Sequence, residues 1–180
     1  MHKISAWLLQ FFGWKIIGNF PPVVNKYVIS VAPHTSNWDF PLGLLVRSAR
    51  RASVVFIAKH TLFRFPFGFI FRALGGYPVD RNKSHNFVDA VVKIFNSKEK
   101  FAIVISPEGT RKKVDEFKTG FYFIAKNAKI PLILCKFDWE NKEVAFSEPF
   151  YTTEDFAKDM SSIYAYYKGV KGKNPALGIN

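Results

Sequence analysis

The stretch "YVISVAPHTSNWDF", residues 27–40, joins a strong strand signal to an unusual set of polar residues. Its first half is a short, β-branched and almost continuously apolar run, which is typical of a strand buried on both faces in a parallel sheet. Its second half places His34 five positions before Asp39. The stretch therefore predicts a buried strand followed by a polar loop that could carry chemistry.

Similar apolar runs recur along the chain and alternate with helical patterns. The runs are "SVVFIA" (53–58), "FAIVIS" (101–106) and "PLILCKF" (131–137), and "EVAFSEPF" (143–150) predicts a late edge strand. Apolar stripes predict a helix that Ser84 could cap and that carries Phe87 to Phe95, another over 117–128, and a terminal helix over 152–169. This alternation predicts an α/β fold, a single domain with a mostly parallel central sheet flanked by helices.

The N-terminal segment, residues 1–22, is apolar nearly all round and ends at a double proline that would stop a helix. Its uncharged run is about half of the ~20 residues that span a bilayer. No small-residue cleavage site closely follows this run, so we reject a signal peptide. We expect an N-terminal apolar helix, either an in-plane membrane anchor or a buried helix, then a main domain over 23–168 and a loose basic tail over 169–180.

The composition indicates an anionic partner. The formal net charge is +12, and aromatic residues make up 17% of the chain. Nucleic acid, an anionic membrane and a phosphorylated substrate all fit this charge. The aromatic residues, however, run together with Leu and Ile, as in "LFRFPFGFIF" (62–71), which suits a core or a bilayer interface better than base stacking. The single cysteine, Cys135, excludes an intramolecular disulfide and a cysteine-based zinc cluster.

Two polar loops follow predicted strands at the end where ligands gather in α/β sheets. His34 follows the first run, and "PEGTR" (107–111) follows the third. If Asp39 held the Nδ1–H of His34, the Nε2 atom would be free to act as a general base. On one continuous helix an i,i+5 pair diverges by about 140°. We therefore expect His34 in the loop and Asp39 at the helix entry, although a simple capped turn is equally open.

The second loop supplies groups suited to a phosphate. Gly109 would allow close backbone approach, Thr110 adds a hydroxyl, and Arg111 offers a planar fork. Arg81 and Lys83, in a glycine-started turn, could add charge, although ordinary surface turns would look the same. Metal ligation by His34, Asp39 and Glu108 has no zinc-type spacing to support it. With no nucleophile motif in the chain, direct attack by a substrate hydroxyl on an activated carbonyl fits these groups.

At these residues the sequence resembles the glycerolipid acyltransferase family. "HTSNWD" resembles the family's H-x4-D block, "GGYPVDR" its second block and "SPEGTR" its third, with Ser106 in place of the usual Phe. "IPLIL" is similar to the fourth block but keeps only Pro131, and "AKHTLFRFPFG" resembles the segment between the first two blocks. The resemblance covers roughly residues 27–137.

The resemblance implies transfer of an acyl group from acyl-CoA or acyl-carrier protein to a hydroxyl of a lysolipid or glycerol phosphate, with lysophosphatidate favoured, in phospholipid biosynthesis. It makes His34 the base and Asp39 its orienting partner. The acceptor phosphate would be bound by Glu108, Gly109, Thr110, Arg111, Arg81 and Lys83, with Lys59 as a further candidate. It implies no acyl-enzyme, metal or other cofactor. It also suggests that the N-terminal segment and residues 62–72 meet an anionic membrane, as a peripheral or monotopic protein on the cytoplasmic face.

Two alternatives remain open at this point. The acceptor could be another lysolipid or an amino-acid-containing lipid. A different class, a non-enzymatic basic module that binds membranes or nucleic acid, explains the charge but leaves the ordered blocks as coincidence. We expect no nucleic-acid partner.

Overall fold

The computed structural model describes residues 2–79 and 87–178, apart from the side chains of residues 58, 59 and 62. Its strands are β1 Lys15–Ile17, β2 Lys26–Ala32, β3 Val55–Lys59, β4 Gly76–Val79, β5 Phe101–Ile105, β6 Leu132–Asp138 and β7 Glu143–Phe146. Its α-helices are α1 His2–Phe11, α2 Asp39–Ala49, α3 Gly68–Ala73, α4 Phe87–Asn96, α5 Gly120–Ala128 and α6 Phe156–Tyr167. Short 3-10 helices cover His60–Phe63 and Pro175–Leu177.

The strands form one sheet in the order β1-β7-β6-β2-β5-β3-β4. The five strands from β6 to β4 run parallel to one another, whereas β7 is antiparallel to β6 and parallel to β1. The predicted α/β fold with a mostly parallel central sheet is therefore confirmed. The late strand predicted over 143–150 also forms, as β7, but it is not an edge strand, because β1 pairs with its outer side.

The central strands are apolar throughout because both faces of the sheet are covered. Alternate residues of β2 point to opposite sides, so that Val28 packs with α4, α5 and α6 while Ile29 packs with α1 and α2. In β2 every residue after Lys26 is buried. This two-sided burial is the physical reason for the unbroken apolar runs in the sequence.

The N-terminal segment differs from the single helix expected over residues 1–22. Helix α1 ends at Phe11, Gly13 adopts a left-handed φ of +79°, and Lys15–Ile17 pairs with β7 at the edge of the sheet. A left-handed glycine commonly ends a helix because it has no side chain to oppose that conformation. Leu9 is buried in the core beside α2. In the part of the chain that the structure describes, no helix is both long enough and apolar enough to cross a bilayer.

The C-terminal residues, which we expected to form a loose tail, contact the rest of the domain. Asn174 donates two hydrogen bonds to Thr35, from its backbone N–H at 3.1 Å and from its side chain at 2.8 Å. The segment from Gly169 to Gly178, called here the C-terminal segment, therefore packs against the loop that follows β2. It ends beside Pro33.

Candidate active site

The pairing of β2 with β5 brings the two polar loops together. The strands are parallel neighbours, with Ser30 opposite Ile105, so the chain leaves both at the same edge of the sheet. Two or three residues later, the backbone N–H of His34 donates to Oε2 of Glu108 at 2.6 Å. Loops at the carboxyl ends of adjacent parallel strands commonly form ligand sites in such sheets.

His34 and Asp39 meet in the predicted geometry. His34 lies in the loop, α2 begins at Asp39, and the His34 Nδ1 atom is 3.0 Å from Oδ2 of Asp39. The imidazole is 25% exposed while the carboxylate is only 2% exposed. With Nδ1 occupied by the carboxylate, the second ring nitrogen is the one available to a substrate.

Asp39 is held by further donors. Its Oδ2 also accepts the backbone N–H of Ser36 at 2.9 Å, and its Oδ1 accepts the indole Nε1–H of Trp139 at 2.8 Å. Both carboxylate oxygens are thus engaged at the start of a helix, where a negative charge is favourable. The arrangement fixes the plane of the carboxylate that faces His34.

Glu108 is placed differently from our expectation that it binds phosphate. Its residue exposure is 2%, and Oε2 also accepts a 3.3 Å hydrogen bond from Ser106 Oγ. Burial raises the pKa of Glu108, and the hydrogen bond from the His34 backbone opposes that rise. Among the described residues Oε1 has no hydrogen-bond partner. A buried carboxylate bound to the His34 amide is suited to holding the histidine loop rather than to meeting an anion.

After the buried Pro107 and Glu108, the "PEGTR" loop turns toward solvent, with Gly109 and Arg111 exposed and Thr110 partly exposed. Gly109 has a left-handed φ of +68°, and a Cβ built there would lie 3.0 Å from the Lys118 ammonium. Thr110 Oγ1 accepts the N–H of Lys112 at 3.2 Å. Arg111 is exposed and has no hydrogen-bond or ion-pair partner within residues 2–79 and 87–178. Among the described residues, the loop therefore presents an unpaired Arg111 guanidinium. Beside Gly109 lies the ammonium of Lys118, which sequence reasoning missed.

The structure does not describe the side chains of the remaining candidates. Arg81 and Lys83 belong to the range 80–86, as does the expected helix cap Ser84. Lys59 ends β3, next to Val79 of β4, and only its backbone is described. Their assignment to substrate binding stays a prediction.

Sequence reasoning also missed the residues that close the site from the other side. Trp139 follows β6 and reaches Asp39 across 100 positions of sequence. Lys173 of the C-terminal segment places its Nζ 4.6 Å from the centroid of the Trp38 ring and 4.8 Å from that of Trp139. No local sequence pattern predicts these contacts of Trp139 and Lys173, because they form only when the sheet and the C-terminal segment bring distant residues together.

A metal site was not expected. Within the described ranges, no group of three or more His, Cys, Asp and Glu side chains is arranged so that it could hold a metal ion.

Comparison with known proteins gives consistent matches. A family model described as Acyltransferase matches residues 15–136. A 1-acyl-sn-glycerol-3-phosphate acyltransferase of Streptococcus pneumoniae is 29% identical over 130 residues, which cover 67% of this chain and 47% of the relative. The chain thus spans about half the length of that curated relative. The crystal structure of the 1-acyl-sn-glycerophosphate (LPA) acyltransferase PlsC from Thermotoga maritima matches with a TM-score of 0.63 and 20% identity, over 93% of this chain and 75% of that one. This last likeness shows a shared fold.

Proposed function

The chain belongs to the acyltransferase family, and we propose that it moves a fatty acyl group from acyl-CoA or acyl-carrier protein to a hydroxyl of a glycerol phosphate lipid. We favour lysophosphatidate as the acceptor, because the Streptococcus pneumoniae relative is named for 1-acylglycerol-3-phosphate. The observation that carries the proposal is the 3.0 Å contact between His34 Nδ1 and Asp39 Oδ2, at a ring that remains partly exposed.

The proposed reaction needs one base and no enzyme nucleophile. Asp39 accepts the Nδ1–H of His34, so that Nε2 carries the lone pair that removes the proton from the acceptor hydroxyl. The acceptor oxygen then attacks the thioester carbonyl of the donor. An ester C–O bond forms and the C–S bond breaks. The departing thiolate takes up the proton that His34 had accepted, which returns the imidazole to its starting state.

The acceptor phosphate is assigned to the exposed part of the "PEGTR" loop. Arg111 is exposed and has no partner among the described residues, so that it can form a bidentate contact, and Lys118 lies beside Gly109. Arg81, Lys83 and Lys59 remain additional candidates. Glu108 is assigned to the support of the histidine loop, through its 2.6 Å bond to the His34 amide.

The decisive experiment replaces His34 with alanine and offers acyl-CoA and acyl-carrier protein with lysophosphatidate, glycerol 3-phosphate and other lysolipids. We expect the rate with the preferred pair to fall by at least ~100-fold, the lower range for loss of a general base. His2→Ala, on α1 and bonded to Arg51, is the matched control and should keep its rate. Near-normal turnover by His34→Ala would overturn the proposed mechanism.

We also propose that the protein lies on the cytoplasmic face of a membrane as a peripheral or monotopic protein. Two surfaces expose large apolar side chains: Ile4, Trp7, Phe11 and Phe12 on or just after α1, and Phe65, Phe67, Phe69 and Ile70 around the start of α3. Exposed apolar patches mark interaction sites, and a net charge of +12 favours the anionic cytoplasmic leaflet.

Vesicle binding tests this location. The double variant Phe65→Ser with Phe67→Ser should bind phosphatidylglycerol vesicles several-fold more weakly in a sedimentation assay, because each ring that enters the interface contributes apolar burial. Tyr151→Ser, which alters a side chain 59% exposed outside both surfaces, is the control. Unchanged binding by the double variant would contradict the role of these rings.

A further inference from the structure

Trp139 is fixed on both sides by aromatic and backbone contacts. Its ring meets Trp14 edge-on with centroids 4.9 Å apart, and its backbone N–H donates to the carbonyl of Lys171 at 2.9 Å. From this position its indole N–H reaches Oδ1 of Asp39 at 2.8 Å. The direction of that N–H is therefore set by the surrounding structure rather than by Asp39.

The bond from Trp139 leaves Asp39 one orientation. Oδ2 accepts from His34 and Ser36, and Oδ1 accepts from Trp139, in a site where Asp39 is only 3% exposed. Without the indole donor, Oδ1 would lack a partner and the carboxylate could turn about its Cβ–Cγ bond. A buried oxygen atom without a donor costs free energy, and this cost would favour rotation of the Asp39 carboxylate away from the orientation that it has beside His34.

The C-terminal segment packs against Trp139 and against the loop that carries His34. Lys173 contacts the faces of both Trp38 and Trp139, and Lys171 pairs with Glu140 at 2.6 Å. Gly172 crosses so close to Thr35 that an added Cβ would lie 2.5 Å from its hydroxyl. The segment thus contacts the histidine loop and the turn after β6 together.

We infer that Trp139 is a positioning residue for the His34–Asp39 pair and that the C-terminal segment, through Lys173, holds Trp139 in place. This inference rests on the proposed function. It adds to the site a tryptophan and a lysine that lie outside the stretch of family resemblance in residues 27–137.

The first test replaces Trp139 with phenylalanine, which keeps an aromatic ring but removes the N–H donor. We expect kcat to fall about tenfold with KM within about twofold, because a displaced catalytic group lowers the rate of the chemical step rather than ground-state binding. Trp14→Phe keeps an aromatic ring edge-on against Trp139 and should leave kcat within about twofold, since the indole that donates to Asp39 Oδ1 belongs to Trp139.

A spectroscopic readout separates positioning from folding. The hydrogen-bonded Nδ1–H of His34 should give a downfield proton resonance, identified by its absence in His34→Ala. Trp139→Phe should shift or broaden this resonance, whereas Trp14→Phe should leave it in place. An unmoved resonance in a folded Trp139→Phe protein would overturn the inference.

Lys173 supplies the second test and stays informative if Trp139→Phe does not fold. Lys173→Met should lower kcat about threefold and disturb the same resonance, while Lys173→Arg, which keeps a cation over the rings, should restore both. In the Trp139→Phe background Lys173→Met should have no added effect, because both act through one contact. Independent, multiplying losses would overturn the link between the two residues.

His34→Ala separates the two levels of proposal. If His34→Ala is as active as the wild type, the proposed function fails. If it is inactive while Trp139→Phe and Lys173→Met match the wild type, the proposed function stands and this inference fails.

Discussion

Two buried aspartates in this protein have almost the same surroundings, but only one of them contacts a side chain that could take part in catalysis. Asp39 and Asp159 are each 3% exposed and lie in the first turn or two of α2 and α6. From the described part of the chain, each side chain accepts three hydrogen bonds. Asp39 accepts from His34, Ser36 and Trp139. Asp159 accepts from the Tyr122 hydroxyl at 2.8 Å and from the N–H and hydroxyl of Thr153 at 2.6 and 3.0 Å.

The difference lies in one donor. All the donors to Asp159 are neutral groups of the scaffold, and Tyr122 is fully buried. Burial alone would raise the pKa of Asp159, but the Thr153 and Tyr122 hydrogen bonds lower it below its ordinary value. One donor to Asp39 is instead an imidazole that is 25% exposed. The hydrogen-bonded carboxylate near the start of α6, Asp159, therefore serves the structure alone. The equivalent carboxylate on α2, Asp39, can also orient a base.

The largest effect that this comparison predicts comes from replacing each aspartate with asparagine. Asp39→Asn should lower kcat by at least ~100-fold, because an amide NH2 must face one of three donors and His34 loses its orientation. Asp159→Asn should stay within about twofold of wild-type kcat, since the Thr153 hydroxyl can turn to accept from the new amide. Acyl-transfer kinetics on the two variants make the measurement, and equal losses would remove the distinction between the sites.

A second prediction concerns stability. Asp159→Ala should lower the free energy of unfolding by about 2–3 kcal/mol, since the Thr153 amide loses its acceptor inside the protein and the Tyr122 hydroxyl keeps only a 3.4 Å contact with the Thr153 carbonyl. Urea denaturation measures this loss. Asp155→Ala removes the side chain that caps α6 through the Lys158 N–H and serves as a milder reference, at about 1 kcal/mol. A smaller loss for Asp159→Ala than for Asp155→Ala would contradict the structural role of Asp159.

The smallest expected effect concerns a third buried carboxyl group, Glu108, and the dependence of the free energy of unfolding on pH. Because its pKa is raised in the folded protein, the native state binds its proton more tightly than the unfolded state does. Stability from this group is therefore full below its ordinary pKa of 4.5 and declines as the pH rises through the raised value.

Glu108→Gln lacks this titration and is the reference for it. We expect the wild type to lose stability relative to Glu108→Gln when urea unfolding at pH 4.5 is compared with unfolding at pH 7.5. A constant difference between the two proteins, or a relative gain by the wild type at the higher pH, would show that Glu108 is not held in this state.

What could be predicted from the sequence follows from how local each signal is. Apolar runs predicted the central strands because burial on both faces of the sheet requires small or apolar residues throughout "YVISVA". His34 and Asp39 could be paired because five positions and a helix start fix their geometry. The burial of Glu108 depends on the neighbouring strand, and the Trp139 bond on a residue 100 positions away, so neither leaves a local pattern. The end of α1 at Phe11 followed from Gly13, whose conformation a list of apolar residues does not reveal.

The bonds between Thr35 and Asn174 also bear on when the candidate site gains its contacts during synthesis of the chain. They join residues 139 positions apart. A nascent chain that has reached β7 already contains the His34–Asp39 pair and Trp139, but Lys173 and Asn174 have not yet been added. The site therefore reaches its full set of contacts only after the ribosome has passed residue 174, when all seven strands that the structure describes have already been made.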